Sequence, residues 1–339
     1  MKATHHTLKA LMLLTACLLL FSLNLLVGSV SIPLTAVADI LLGRGSANPT
    51  WQFIVVESRL PQAITAMLAG SALGISGLLL QTLFRNPLAD PSIFGISSGA
   101  GLGVALVVLM MGGTVSVGIC SLSGTFAILF ASLAGAVLVM LLILFFSTIV
   151  RGHAALLIVG IMIGYLASSA ISLLNFFATE EGVKSYLVWG MGNFGGVNSN
   201  QLPLFSVLTL LGIIASALMM KPLDALLLGD SYAQNLGFNI RRLRFFLLLV
   251  TGTLTAVITT FCGPVSFLGL AIPHLAKALL HTDSHRQLLP ATVLGGALLA
   301  LLCNLVCMLP FHWGIIPLNA VTPLVGAPVI IRYLCKSSW

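Results

Sequence analysis

The chain has 339 residues, 58% of them hydrophobic and only 7% charged, with a mean hydropathy of +1.12. Soluble domains carry about 25% charged residues, so a water-covered surface is excluded and lipid must be the main solvent. The net charge of +7 does not point to nucleic acid, because the basic residues lie between apolar runs and form no basic face with aromatic partners.

Only helices and closed barrels satisfy every backbone polar group in hydrocarbon. Barrel strands alternate apolar and polar residues, whereas runs such as Leu8–Gly28 and Leu243–Phe261 are unbroken. The expected fold is an all-α integral membrane protein, a single transmembrane domain over residues 1–339. Windows of about 19 residues place ten apolar segments at 8–28, 60–83, 97–118, 122–148, 154–177, 202–220, 243–262, 264–280, 288–309 and 317–334. The first has Lys2 and Lys9 at its N-terminal end. It outruns a signal-peptide core of about 7–15 residues, so a retained first helix is expected. Ten spans put both termini on one side. Only Arg44, Arg59 and Lys184 of the 15 basic residues then fall outside, which makes both termini cytoplasmic.

Three connections stand out. The outer segment 29–59 contains an amphipathic stretch, Leu34–Leu42. The outer segment 178–201 places Tyr186, Leu187 and Trp189 at interfacial depth, followed by a glycine-rich run to Gly196. The inner segment 221–242 is too polar to span. Its Ala225–Leu228 and Ala233–Leu236 stretches have helical apolar spacing and predict two short helices hinged at Gly229.

Several positions carry finer signals. Gly70, Gly74 and Gly77 share a helix face that permits close packing. Asn86-Pro and Asp90-Pro end that helix. Ser97 to Gly103 starts the next one with almost no side chain on one face. Pro264 and Pro273, and then Pro317, Pro323 and Pro328, predict broken or kinked helices lining a cavity. Pro91-Ser-Ile-Phe-Gly95 echoes Val265-Ser-Phe-Leu-Gly269, as an inverted repeat would. In the fifth span Ser168, Ser172 and Asn175 share a face, with Ser169 beside them. His281 and His285 are four apart, but Asp283 is the only further ligand at hand, so a solvated inner loop is expected there. His274, after Pro273, reads as a structural hydrogen bond. The six cysteines form no CxxC, so neither a disulfide framework nor a metal site is indicated.

Absences matter too. No GxxxxGK[ST] motif exists to cradle nucleotide phosphates. No carboxylate sits in mid-span, where ion-coupled carriers keep theirs. An energy-supplying partner is therefore expected. An ion-coupled secondary transporter of a small solute is the alternative, and it predicts transport by the chain alone. A membrane enzyme would need convergent titratable groups at one depth, and the charge pattern offers none.

Seven motifs occur in order: RLPQ (59–62), LFRNPLADPSIFGISSGAGLG (83–103), Trp189-Gly-Met-Gly-Asn-Phe194, LLLGDSYAQNLGFNIRRLR (226–244), GPVSFLGLAIPHLAK (263–277), HRQLLP (285–290) and IPLNAVTPLVGAPVI (316–330). Together they resemble the permeases of the iron-chelate and vitamin B12 ABC importers, from Arg59 to Leu334. The resemblance implies a ten-helix permease of the bacterial cytoplasmic (inner) membrane that pairs with a second copy of itself around a central pathway. Two ATPase subunits would bind inside and a periplasmic substrate-binding protein outside. The cargo would be an iron(III)-siderophore, haem or cobalamin. ATP would be hydrolysed on the partner chains, so this chain would be no enzyme and carry no cofactor. By the same resemblance Leu228, Gly229, Ala233, Leu236 and Gly237 would sit in a cleft of the ATPase. Arg59 would dock acidic residues of the binding protein. Ser97, Ser98, Ser168, Ser172 and Asn175 would line the pathway, and Gly152 and His153 would stand at the inner gate. The family often has further arginines where Gln62 stands and near Met308; this chain lacks both.

Overall fold

The computed structural model describes residues 2–44, 48–112, 114–117, 120–150, 152–309 and 316–336. Helix α1 (Lys2–Leu26) is followed by the short α2 (Leu34–Leu41) and α3 (Pro49–Phe53), and a π turn (Ile54–Arg59) carries α3 into α4 (Leu60–Phe84). A 3₁₀ turn (Pro91–Phe94) leads to α5 (Ile96–Ala105), which winds into a second π turn (Leu106–Met110). An antiparallel hairpin, β1 (Thr114–Val117) with β2 (Cys120–Ser123), pairs Thr114 with Ser123. Next come α6 (Thr125–Ile149), α7 (His153–Phe177), α8 (Glu180–Gly190), α9 (Leu202–Leu218), α10 (Met220–Leu227) and α11 (Asp230–Asn235). The chain closes with α12 (Ile240–Cys262), α13 (Leu268–Leu280), α14 (His285–Met308) and α15 (Leu318–Lys336).

Each of the ten apolar segments contains a helix, although the match in length is uneven. Among the described residues 6 helices are long and apolar enough to cross a membrane, or 7 if α9 and α10, bent by 52°, form one span. The chain is thus a multi-pass helical membrane protein. Length alone does not make full crossings of α5 and α13, because the turns at Pro91 and Pro264 shorten both.

Helix α4 is the axis of the bundle. The most apolar stretch of its run is 89% buried, against 17% for α7. Its small residues are the reason. A Cβ on Gly70 would strike the Gly296 carbonyl of α14, one on Gly77 would strike the Gly269 carbonyl of α13, and one on Gly74 would lie 2.8 Å from Ile272 Cγ2. Lipid tails are as apolar as leucine, so close backbone approach and interhelical hydrogen bonds do the work that water expulsion does elsewhere. Three amides, two of them buried, add such bonds. Gln62 Nε2 donates to Asn304 Oδ1 (3.0 Å), Asn304 Nδ2 to Asn24 Oδ1 (2.8 Å) and Asn24 Nδ2 to the Leu301 carbonyl (3.1 Å), joining α4, α14 and α1.

The structure departs from the expectations at several places. Much of 29–59 is helical, because the Asn48 side chain caps α3 and Pro49 opens it. Helical backbone then runs unbroken through 36 residues, Pro49–Phe84, so Arg59 lies within a helix and not at its outer end. The third apolar segment is helical only to Met110. Gly112 turns the chain at φ +60°, and Thr114-Val-Ser-Val117 pairs as a strand. The outer segment 178–201 contains α8, whose first turn is capped by the Thr179 hydroxyl and carries Glu180 and Glu181 at its positive end. His281 and His285 share no helix: His281 ends α13 at φ +53° and His285 opens α14. His285 is not solvated but 1% exposed. His274 bonds the Pro87 carbonyl at 2.8 Å, the structural role expected.

Charged contacts gather one end of the bundle. Lys9 Nζ donates to the Leu279 carbonyl (2.6 Å), Lys277 pairs with Asp283 (3.2 Å) and Arg85 pairs with Asp230. The start of α1, the turn after α4, the α10–α11 hairpin and the α13–α14 turn therefore lie together.

Candidate functional site

A cavity of ≈ 350 Å³ lies where two broken helices meet. The first break supplies Ser92, Ser97, Ser98 and Gly101; the second supplies Pro264, Val265 and Ser266. Ser168 and Ile171 of α7 form another wall, with Tyr186, Trp189 and Gly190 at the end of α8.

Local sequence explains both breaks. Asp90 caps the 3₁₀ turn, accepting from the Ser92 amide and hydroxyl at 2.8 Å each. Gly95 follows at φ +73°, where only glycine is free of strain, and a Cβ there would lie 2.9 Å from the Gly160 carbonyl and the Gly164 nitrogen of α7. The same residue thus turns the chain and lets α7 approach. At the second break Phe267 takes φ +71° without glycine's freedom, a local cost of about 1–2 kcal/mol. Both α5 and α13 start directly after a left-handed residue, and the two echoing segments touch: a Cβ on Gly269 would lie 2.7 Å from Pro91 Cδ. Discontinuous helices that open on a shared cavity are how inverted-repeat transporters build a path.

Asn319, at the start of α15, holds the second break in place. Its Oδ1 accepts from the Ser266 amide (3.1 Å), and its Nδ2 donates to the carbonyls of Pro264 (2.7 Å) and Gly190 (3.1 Å). Sequence reading passed over it. Its one signal was an amide placed between Pro317 and Pro323 in an apolar segment.

The cavity wall is neutral. Among its lining residues the Tyr186 phenol is the only ionisable group, and burial pushes its pKa up, so it stays a hydrogen-bond donor at neutral pH. Hydroxyls and two neighbouring, mutually tilted aromatic rings, Tyr186 and Trp189 with centroids 6.1 Å apart, can pass a polar solute without gripping an ion. No nucleophile with a base beside it is present among these lining residues.

Ser97, Ser98 and Ser168 line this cavity; Ser172 and Asn175 do not. The Ser172 hydroxyl bonds back to the Ser168 carbonyl (3.0 Å), as helical serines often do. Asn175 Oδ1 is buried with no partner among the described residues. Gly152 precedes α7 in an extended conformation (φ −95°, ψ 140°), while the His153 side chain and Arg151 lie outside the described residues. Arg59, expected to dock the binding protein from the outer end of its span, is instead 3% exposed here, and its guanidinium donates to the carbonyls of Leu25 (2.9 Å), Leu26 (2.8 Å) and Val30. It satisfies the orphan carbonyls at the end of α1, so this conformation gives it no face for docking.

The α10–α11 hairpin forms as its spacing predicts. Gly229 joins the two helices at φ +119°, ψ 155°, a region that essentially only glycine occupies. Gly237 ends α11 at φ +89°, with Phe238 N donating to the Ala233 carbonyl (3.0 Å) and Gly237 N to the Gln234 carbonyl (2.9 Å), a Schellman cap. Leu228 is 66% exposed, Leu236 55% and Tyr232 48%. Ala233 is fully buried; it seats the hairpin on the bundle and presents nothing outward, contrary to the expectation for it.

The FecCD transport family model matches residues 14–336. The vitamin B12 import system permease protein BtuC of Salmonella typhi is 34% identical over 290 residues, 85% of either chain. BtuC of Salmonella newport (strain SL254) has the same identity and coverage. A solved structure described as a metal-chelate type ABC transporter in an inward-facing conformation superposes with a TM-score of 0.83 at 28% identity, covering 96% of this chain and 98% of that one. PsaBC from Streptococcus pneumoniae in complex with Fab shares the fold, with a TM-score of 0.52 at 14% identity over 88% and 95% of the two chains. With the ordered motifs and the paired helix breaks already in place, these matches show that the chain belongs to the FecCD transport family and is an ABC-importer permease.

Proposed function

We propose that this permease passes a bulky metal chelate (a cobalamin, a haem or an iron(III)-siderophore) into the cytoplasm, driven by ATP hydrolysed on two partner subunits. The observation that carries the proposal is the α10–Gly229–α11 hairpin. It is a rigidly capped, non-spanning pair that turns Leu228, Tyr232 and Leu236 outward. A clustered apolar tip of this kind marks a protein contact.

Other features support the rest of the reading. Ser168, Ser169 and Ser172 are exposed on α7, as are Tyr165, Leu166 and Phe176. Hydroxyls on an uncovered membrane helix favour a second copy that encloses them with water or cargo. A cavity of ≈ 350 Å³ is at the small end of the about 300–1,000 Å³ typical for drug-sized ligands, so a larger chelate calls for a path shared by two copies. The neutral wall suits cargo that is held weakly and handed on by a periplasmic binding protein. The relatives named for vitamin B12 import put cobalamin first among the three chelates. The distribution of basic residues supports ten spans with both termini and the hairpin on the cytoplasmic side, and membership of a bacterial importer family supports the inner membrane. Gly152 and His153 would stand at the cytoplasmic gate.

The test is capture followed by uptake. A tagged chain co-expressed with its neighbouring ATPase should retain that subunit, and Leu228→Asp or Leu236→Asp should release it. Proteoliposomes of the complex should take up cyanocobalamin or a ferric hydroxamate only with ATP inside. Transport by the chain alone on a proton gradient, or a hairpin cysteine labelled only from the external medium, would overturn the proposal and favour an ion-coupled carrier.

A further inference from the structure

We infer that Asp224, His285 and Thr82 form a strut that carries movement of the α10–α11 hairpin into α4 and α14, with Arg85 and Asp230 as a parallel brace. The inference rests on the reading of that hairpin as the ATPase contact.

Asp224 lies on α10 and reaches the start of α14. Its Oδ1 accepts from the His285 amide (2.7 Å) and meets His285 Nδ1 at 2.8 Å, and its Oδ2 accepts from the Ser284 hydroxyl (3.4 Å). A carboxylate only accepts, so Nδ1 carries the proton. The other ring nitrogen, Nε2, meets Thr82 Oγ1 at 2.8 Å in the last turn of α4. The ring is 1% exposed and Thr82 6%, so the His285–Thr82 bond is shielded from water and correspondingly stiff, while the Asp224 carboxylate that closes on the ring is 39% exposed. Three residues beyond Thr82, Arg85 pairs with Asp230, the first residue of α11. Each helix of the hairpin is therefore tied separately to the same end of α4.

From there the connection is packed backbone. Gly77 and Gly74 of α4 bear directly on Gly269 and Ile272 of α13, and Pro264–Ser266, just before α13, line the cavity. Apolar contacts also seat α10, through Leu223 and Leu226, but burial is non-directional. A charge-assisted hydrogen bond fixes direction, which is what a strut requires. Asp224, His285, Thr82, Arg85 and Asp230 are thus positioning residues for coupling, remote from cargo and nucleotide.

The experiment uses the permease assembled with its ATPase subunits in nanodiscs. A Ser168→Cys reporter in the cavity is labelled with a charged maleimide, with and without ATP plus vanadate, and ATP hydrolysis is followed in parallel. Coupling of ordinary size shifts an equilibrium about 5–150-fold. Asp224→Ala and His285→Ala should shrink the ATP-dependent change in labelling by at least about fivefold, while hydrolysis and subunit capture persist. A merely structural role would lower capture, hydrolysis and labelling together. The half-exposed pair gives an independent readout: Arg85→Asp should reduce the response, and adding Asp230→Arg should restore it. This pair decides the matter should Asp224→Ala fail to assemble. Assembled Asp224→Ala or Arg85→Asp complexes with the parent response overturn the strut. A parent chain that captures ATPase but gives no ATP-dependent labelling overturns it too, whereas failure of the parent to capture any ATPase overturns the importer reading first.

Discussion

Arg59 offers the sharpest test, because two roles for it predict opposite results. Replacing it with methionine keeps the length and apolar bulk of the side chain and removes the guanidinium. The carbonyls of Leu25, Leu26 and Val30 then lose their donor at the end of α1. A hydrogen bond is worth about 1 kcal/mol net, and more when one partner is charged, so the three together come to about 3 kcal/mol. Relief of the cost of burying a cation offsets part of this, leaving a net loss of about 2 kcal/mol. Arg59→Lys should recover only part of it, since one ammonium cannot reproduce a planar fork of donors. Thermal unfolding of the detergent-purified chain, followed by intrinsic fluorescence, is the assay. A fall of about 3–6 °C in the midpoint is expected for Arg59→Met, with no change for Arg44→Met, whose side chain is exposed. An unchanged Arg59→Met midpoint, together with weaker docking of the binding protein, would refute the capping role and restore the expectation drawn from the family.

Three further outcomes follow from the geometry. Gly95→Ala forces a Cβ against the Gly160 carbonyl at 2.9 Å and holds alanine at φ +73°, so a loss of about 2 kcal/mol or more is expected from strain and collision together; a monodisperse, parent-like profile by fluorescence size exclusion would contradict this. Asn304→Leu leaves Gln62 and Asn24 without their shared partner, and unfolding in SDS should show a loss of about 1–2 kcal/mol; parent-like resistance would count against the amide network. For Asp90, burial holds the carboxyl above its ordinary value, opposed by hydrogen bonds from Ser92 and the Leu270 backbone. The folded chain therefore keeps a proton that the unfolded chain releases, and the stability this confers is full below the unfolded pKa and is lost as pH rises through the folded one. Asp90→Asn keeps an acceptor for Ser92 and cannot ionise. Its midpoint should exceed the parent's at pH 7–8 and converge with it below about pH 4, and parallel curves across that range would refute the assignment.

The parts of the site that were legible in the sequence are those written in local chemistry. The Gly70–Gly74–Gly77 face, the breaks at Asp90-Pro91 and Gly263-Pro264, and the hairpin around Gly229 each rest on what a few neighbouring residues can do. The serines of α5 and α7 were legible as a polar face. Only three of the five residues expected on the path reach the cavity, because the approach of α7 at Gly95 and Gly164 places Ser168 at the wall and carries Ser172 and Asn175 past it. Asn319 and the Asp224–His285 bond were not legible. Their partners lie 53–129 and 61 residues away, and no periodicity encodes such a pairing. The reading of His285 as solvated failed for this reason: a histidine between Asp283 and Arg286 looks wet until α10 is folded over it.

The sequence by itself determined the solvent, the helical class, the order of the apolar segments and the family, because hydrophobicity, glycine and proline act over one or two turns and the motifs stand in a fixed order. The tertiary structure decided which polar groups face one another. It turned Arg59 inward, buried Ala233, set the two broken helices across one cavity and fastened the hairpin to α4. Hydrogen bonds and close packing depend on distances of a few ångströms between residues far apart in the chain, and only folding brings those residues together.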